Sequence, residues 1–278
     1  MKPLRIVALC VLAFGAYFLA ISPALYSRVR LDRQFVALSR YEFERTPAVA
    51  IVGSSMSSRL HEGYFDVPVR NLSIGGGSPI TGLAIIASYQ ELPKLILIEA
   101  NILSRPLDTA LLGQFGANSD ESYQWFKPAR AVISALYYWG KYRSEAENVA
   151  SLPTIPPVDY DIKQSVAEAY QENHRPDWER LMRPNVDHLK RLADALALRG
   201  CKILLFEMPS PVQETPYAKT ARALAREAFP NAGQWITIQD SGHQLRWLDA
   251  SHMDERSAII SAGQIAAALK ERNWRFPK

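Results

Sequence analysis

The sequence predicts an α/β fold: a parallel sheet of about five strands with helices on both faces, preceded by one N-terminal transmembrane helix. Short apolar runs without polar alternation recur along the body of the chain, as strands buried on both faces require. Helical patterns lie between these runs, which makes the sheet parallel and the class α/β. Ahead of the body, residues 6–26 (IVALCVLAFGAYFLAISPALY) carry no charge. As a helix this run is about 30 Å long, the thickness of a bilayer's hydrocarbon core.

The whole chain has 278 residues, of which 48% are hydrophobic and 22% charged, proportions of a globular protein that exclude a disordered chain, a collagen or a coiled coil. A mean hydropathy of -0.12 excludes a multi-pass membrane protein and leaves room for one apolar segment. The net charge of +4 lies entirely in residues 1–45 (Lys2, Arg5, Arg28, Arg30, Arg33, Arg40 and Arg45 against Asp32, Glu42 and Glu44). The other 233 residues balance at 25 basic and 25 acidic, so no nucleic-acid partner is expected.

Residues 1–27 are read as an uncleaved anchor. A signal-peptidase site needs small residues before the cut, and Ser22 and Ala24 fit poorly with Pro23 between them. Lys2 and Arg5 favour a cytoplasmic N-terminus while Arg28, Arg30 and Arg33 pull the other way, so charge leaves the orientation open. Residues 28–45 form a polar, helical neck, and residues 46–278 the body. Within the body, residues 48–52 (AVAIV) are a first buried strand, ending at Gly53, and residues 67–74 a second, ending at Gly75-Gly76-Gly77. Residues 95–98 (LILI) are a third strand, 202–206 (KILLF) a fourth, and 235–238 a weaker fifth. Pro184 suits the first turn of a helix ending at Gly200, with Val186, Leu189, Leu192, Ala193 and Leu196 at helical spacing. A last helix, about 255–272, carries Ile259, Ile260, Ile265, Ala266 and Leu269 on one stripe. Residues 104–180 show no strand pattern and are read as a helical insertion. Cys10 in the anchor and Cys201 at a strand start do not meet, so no disulfide is expected.

Four short segments carry chemistry, three of them just past a strand, where ligands bind in parallel α/β sheets. Gly53-Ser54-Ser55-Met56 follows the first strand and exposes a hydroxyl at an expected helix N-terminus, whose amides favour developing negative charge. Asn71-Leu72-Ser73-Ile74-Gly75-Gly76-Gly77 follows the second, and its glycines can turn an N–H toward an oxyanion. Glu99-Ala100-Asn101 follows the third, and an uncharged carboxamide suits a second oxyanion donor. Asp249-Ala250-Ser251-His252 precedes the last helix, with a carboxyl group spaced to orient an imidazole. Each has a plainer reading alone: Ser54 or Ser55 caps a helix, the glycines and Asn101 shape turns, and Asp249 or Ser251 caps the last helix with His252 on the surface. His61, His174, His188 and His243 lack a comparable local setting.

Taken in order, Ser after strand one, Gly after strand two, Asn after strand three and Asp-x-x-His before the final helix resemble the SGNH hydrolases, or GDSL-type esterases, from about Ala48 to the C-terminus. The resemblance implies a three-layer flavodoxin-like body and an acyl-ester enzyme, an esterase or O-acyltransferase. It places Ser55 as nucleophile, His252 as general base, Asp249 as its partner, and Gly76 and Asn101 as the oxyanion hole. Ser54 departs from the Asp of the Gly-Asp-Ser form, and Glu99 from a Gly often found two residues before the Asn. A carboxyl group there would oppose an oxyanion, so Glu99 is expected to point away. A Gly-Ser-Ser start behind one anchor is similar to membrane-anchored envelope branches that modify glycans or teichoic acids. That implies an acyl-ester or glycan substrate, a multi-pass membrane acyltransferase as partner, and a periplasmic catalytic body on the inner membrane. The alternative is a catalytically silent member of the fold that binds glycan or scaffolds such an acyltransferase. Tyr123, Trp125, Phe126, Tyr137, Tyr138, Trp139 and Tyr142 can stack on sugars, rest on a membrane interface or simply pack in the core. No cofactor is implied: no His/Asp/Glu cluster has metal-ligand spacing, and Gly75–Gly77 lacks the Lys and spacing of a phosphate loop.

Overall fold

The computed structural model describes residues 2–28, 33–44, 46–172, 177–240, 242 and 244–274. The elements in chain order are α1 (Lys2–Arg28), α2 (Arg33–Phe43), β1 (Val49–Val52), β2 (Val69–Asn71), α3 (Pro79–Ser88) and β3 (Leu95–Glu99). They continue with α4 (Thr109–Phe115), α5 (Glu121–Gln124), α6 (Lys127–Ser151), α7 (Lys163–Glu172), α8 (Trp178–Leu198), β4 (Lys202–Phe206), α9 (Pro216–Ala228), β5 (Trp235–Ile236) and α10 (Glu255–Glu271). Two single turns of 3-10 helix, Ser57–Arg59 and Glu62–Tyr64, fill the connection from β1 to β2.

The class is α/β. Among the described residues five strands form one parallel sheet in the order β2-β1-β3-β4-β5, with Ala50 paired to Arg70 and Ile96, and Ile96 to Ile203. Every residue of β1 and β3 is buried. Successive residues serve opposite faces, as strand geometry demands. Ala50, Val52, Ile96 and Ile98 pack with Leu38 of α2, Leu83 of α3, Leu189 of α8 and Leu224 of α9. Val49, Ile51, Leu95 and Leu97 pack with Leu60, and with Ile259 and Ile265 of α10. Apolar partners on both faces are why these strands read as unbroken apolar runs. Between β3 and β4, described residues 104–180 hold helices and turns and no strand.

Three boundaries differ from the sequence pattern. β2 covers only Val69–Asn71 of the expected 67–74, and β5 only Trp235–Ile236 of 235–238. Past Asn71 the chain keeps one-sided bonds, from Leu72 N–H to Ile51 O (2.8 Å) and Ile74 N–H to Gly53 O (3.0 Å), and then turns at the glycines. α8 starts at Trp178, so Pro184 lies inside it rather than in its first turn. The buried stripe already begins at Met182, ahead of the proline, and its burial outweighs one lost backbone bond. The segment expected as a polar neck supplies α2, which is no spacer: Phe35, Leu38 and Tyr41 enter the core. Arg40, also buried, is neutralised by Glu44 (2.6 Å) and Glu62 (2.8 Å). Residues 29–32 and 45 of that segment lie outside the described residues. In α1, Pro3–Ala24 is long and apolar enough to cross a membrane, with a mean hydropathy of 2.3 and almost no burial against protein.

Candidate active site

In the strand order β2-β1-β3, connections leave β1 and β3 in opposite directions, which opens a crevice at their carboxyl ends. Gly53-Ser54-Ser55 leaves β1 at this crevice and Ala100-Asn101 leaves β3. Gly53 is required by close approach: a Cβ there would lie 2.1 Å from Ser57 Oγ and 2.6 Å from Glu99 Oε2. The turn after it is short. Only the three-residue 3-10 turn Ser57–Arg59 follows Ser55, so the expected helix N-terminus, with its aligned amides, is absent.

Ser55 is half-buried, and its Oγ lies 2.9 Å from His252 Nε2. His252 Nδ1 lies 2.8 Å from Asp249 Oδ2. An ionised carboxylate only accepts, so the Nδ1 atom carries the proton and Nε2 is left to accept the Ser55 hydroxyl. Asp249 divides its oxygens: Oδ1 accepts the N–H groups of Ser251 (2.7 Å) and His252 (2.8 Å), while Oδ2 holds the ring. This local closure is what the Asp-x-x-His spacing achieves. Antiparallel pairing of Trp247 with Met253 and a Leu248 N–H bond to His252 O (2.8 Å) make residues 247–253 a small hairpin. Ser210 Oγ donates to Ala250 O (2.9 Å) and Arg59 Nε to Met253 O (3.1 Å), which pins the hairpin to the segment after β4 and to the Ser55 turn.

Partial burial alone would push the Asp249 carboxyl up, but the bond from His252 and the two amide bonds hold it below its ordinary value. A folded value below the unfolded one contributes stability that is present above the ordinary carboxylate range and is lost as pH falls through the folded value. The urea midpoint of the wild type should exceed that of Asp249→Asn at neutral pH, by a small margin because the group is half-exposed. That margin should shrink in acid. A gap that stays constant with pH would refute the assignment.

Asn101 is fixed by backbone: its Nδ2 donates to Met208 O (2.9 Å) and its Oδ1 accepts Met208 N–H (2.7 Å). One amide hydrogen is used this way and the second remains. Gly76 occupies the third position of a turn closed by Gly77 N–H to Ile74 O (2.9 Å), with φ +74°. A type II turn needs that positive φ, which is the reason for glycine there. The turn is exposed, Arg105 donates to Gly76 O, and the Ile74–Gly53 bond sets it beside the Ser55 turn. Among the described residues neither Gly76 nor Asn101 is hydrogen-bonded to Ser55.

Glu99 is fully buried and turns beneath the Ser55 turn. It accepts Ser54 N–H (2.7 Å), Ser57 N–H (3.3 Å), Ser54 Oγ (2.8 Å) and Ser57 Oγ (2.7 Å), and Ser57 Oγ in turn lies 2.8 Å from Ser73 Oγ. Ser57 lies outside the four motifs, and Ser73 stood inside one without a role assigned to it. The one available signal was a lone acidic residue closing an otherwise apolar strand. His61 also differs from expectation: its Nδ1 lies 2.7 Å from the Tyr64 hydroxyl, which donates to Glu255 (2.6 Å). Glu255 is far away in sequence, so no local motif announced that chain. His188 is half-exposed on α8, while His174 and His243 lie outside the described residues.

Two clefts are lined by neighbours of the Ser55 turn in sequence. One of about 320 Å³ is lined by Met56, Asn101, Trp178, Tyr217 and Ser251. The other, about 740 Å³, is lined by Ser58, Arg59, Ser73, Tyr137 and Lys141. Of the seven aromatic residues from Tyr123 to Tyr142 none is a core residue: Trp125, Trp139 and Tyr142 are exposed and the other four half-buried. Arg40 covers the Tyr138 ring, 3.1 Å from its centroid. Among the described residues no group of three or more His, Cys, Asp or Glu is arranged to hold a metal ion. No family model, curated protein or solved structure matches the chain.

Proposed function

We propose that the chain is a membrane-tethered acyl-ester enzyme of the SGNH hydrolase type, an esterase or O-acyltransferase that works through an acyl-serine. The observation that carries this reading is the unbroken Ser55–His252–Asp249 chain, 2.9 Å and then 2.8 Å, assembled from segments 197 residues apart. A hydroxyl within hydrogen-bond reach of an imidazole that a third group orients is the signature of an activated nucleophile. The strand order 2-1-3-4-5, which is the flavodoxin-like order, and the crevice at β1 and β3 support it further.

In this mechanism His252 takes the proton of Ser55 as the alkoxide attacks an ester carbonyl, and Asp249 stabilises the imidazolium. The Gly76 N–H, the spare Asn101 amide hydrogen and the Ser55 N–H stabilise the oxyanion. His252 returns the proton to the leaving oxygen. Water or a sugar hydroxyl, deprotonated by His252, then attacks the acyl-Ser55 and releases the serine. The cleft lined by Met56, Asn101 and Ser251 suits an acyl group held near Ser55. By the motif resemblance the substrate is an acylated cell-envelope glycan or similar ester, the body is periplasmic on the inner membrane, and a multi-pass acyltransferase is its partner.

One observation favours a silent glycan-binding or scaffold protein instead: both ends of the Asn101 amide are engaged by Met208. A fluorophosphonate separates the readings. For the full chain in detergent, adduct formation on Ser55 that disappears in His252→Ala supports the enzyme. An unlabelled Ser55 in folded protein supports the scaffold.

A further inference from the structure

Up to Trp139, α6 is built inside out for a helix in water, while its second half turns Lys141, Arg143 and Glu147 outward. Its polar side chains Arg130, Ser134 and Glu145 are buried, Arg130 against Glu42 (3.0 Å) and Glu145 against Gly63 N–H (3.0 Å). Three apolar ones of this first half face outward: Val132, Leu136 and Trp139 are 39%, 67% and 73% exposed. At 3.6 residues per turn these three fall within about 60° of one another. A water-facing helix shows the reverse arrangement.

The stripe continues into α1. The Tyr17 hydroxyl donates to Trp125 O (2.6 Å) and accepts Ala129 N–H (3.3 Å). Ile21 and Ala129 bury each other, with Tyr17, Phe18, Phe126 and Ile133 around them. Phe126, Ala129 and Ile133 adjoin the exposed stripe on the helix surface. Tyr17 lies seven residues before Ala24, the end of the apolar span, hence about 10 Å inside it. Trp125, 72% exposed and tied to Tyr17, is held at the same level. That is the depth at which amphipathic helices and tryptophans settle in a bilayer interface.

We propose that this face of α6, with Trp125, Val132, Leu136 and Trp139, beds in the lipid interface beside α1, as a second membrane contact that fixes how the body sits on the bilayer. The proposal rests on α1 crossing the membrane and not on any chemistry of Ser55. A lipid surface is favoured over a protein partner because the stripe adjoins the lipid-facing helix directly and sits at its interfacial level.

The test uses the full chain reconstituted in phosphatidylcholine vesicles whose acyl chains are brominated near the headgroup end. α1 contains no tryptophan, so quenching reports on the body alone. The wild type should lose emission in proportion to two tryptophans of six, and Trp125→Phe with Trp139→Phe should remove that loss. Bromines moved to the chain ends should quench less. Equal quenching in wild type and variant, or no quenching while acrylamide in the water reaches both residues, overturns the proposal. Shielding from bromine and acrylamide alike means that protein covers the face, which overturns it too. A thermal scan checks that the double variant keeps the wild-type fold.

Discussion

Ser55→Ala and His252→Ala are each expected to lower turnover of an activated acetyl ester by roughly a millionfold, the scale of loss when a serine triad loses its nucleophile or base. The double variant should be no worse than either single one. The serine is a poor nucleophile until the imidazole takes its proton, so the two groups act as one unit and their losses do not add. Asp249→Asn should cost less, about ten-thousandfold, because it presents the wrong tautomer of His252 while leaving Ser55 in place. None of this should come from unfolding. Ser55 is half-buried, and His252 is the only described partner of its hydroxyl, so its alanine variant should unfold within about 0.5 kcal/mol of wild type. Turnover within tenfold of wild type in a folded Ser55→Ala would end the esterase reading. Loss confined to His252→Ala would mean that another group is the nucleophile.

How much of this was legible in the sequence depends on how local each signal is. Residues 202–206 read as a strand because every position but the first is buried, and β4 has those bounds. Asp249 and His252 were legible for the same reason: the carboxyl group closes on amides two and three residues ahead, so the geometry is written in the spacing. The neck was read as helical, as α2 is, but its buried side was missed because Arg40, Glu42 and Glu44 mark the segment as polar, and their neutralising partners Glu62, Arg130 and Arg70 lie far along the chain. Composition cannot show that an arginine has a carboxyl group waiting 22 residues away. The helix expected after Ser55 failed on a similar point. Ser54, which looks like a cap, instead spends its N–H and hydroxyl on Glu99, as does Ser57, and the chain turns rather than winding into a helix.

Glu99 therefore yields the largest expected effect on folding. Glu99→Ala removes the acceptor of two buried amides and two buried hydroxyls. Each stranded donor costs about 1–3 kcal/mol. The losses overlap, and a total of several kcal/mol is expected against a domain stability of about 5–15 kcal/mol. At about 2–4 °C per kcal/mol for a chain of this size, Tm should drop by roughly 10 °C or more. Glu99→Gln should also destabilise, since an amide NH2 would then face the donors of Ser54 and Ser57. The motif comparison supplies the discriminating variant. In the Gly-Asp-Ser form that these segments resemble, the acidic group sits at the position of Ser54, with Gly at that of Glu99, whereas here the acidic group stands at the end of the neighbouring strand. Ser54→Asp alone should destabilise by setting two acidic groups against each other in a dry site. Ser54→Asp added to Glu99→Ala should instead recover part of the lost stability, a coupling of about 1–3 kcal/mol in a double-mutant cycle. Additive losses would show that Glu99 merely fills space. A positive coupling, with turnover returning alongside Tm, would show that what the Ser55 turn needs is one buried acceptor beneath it, from whichever strand supplies it.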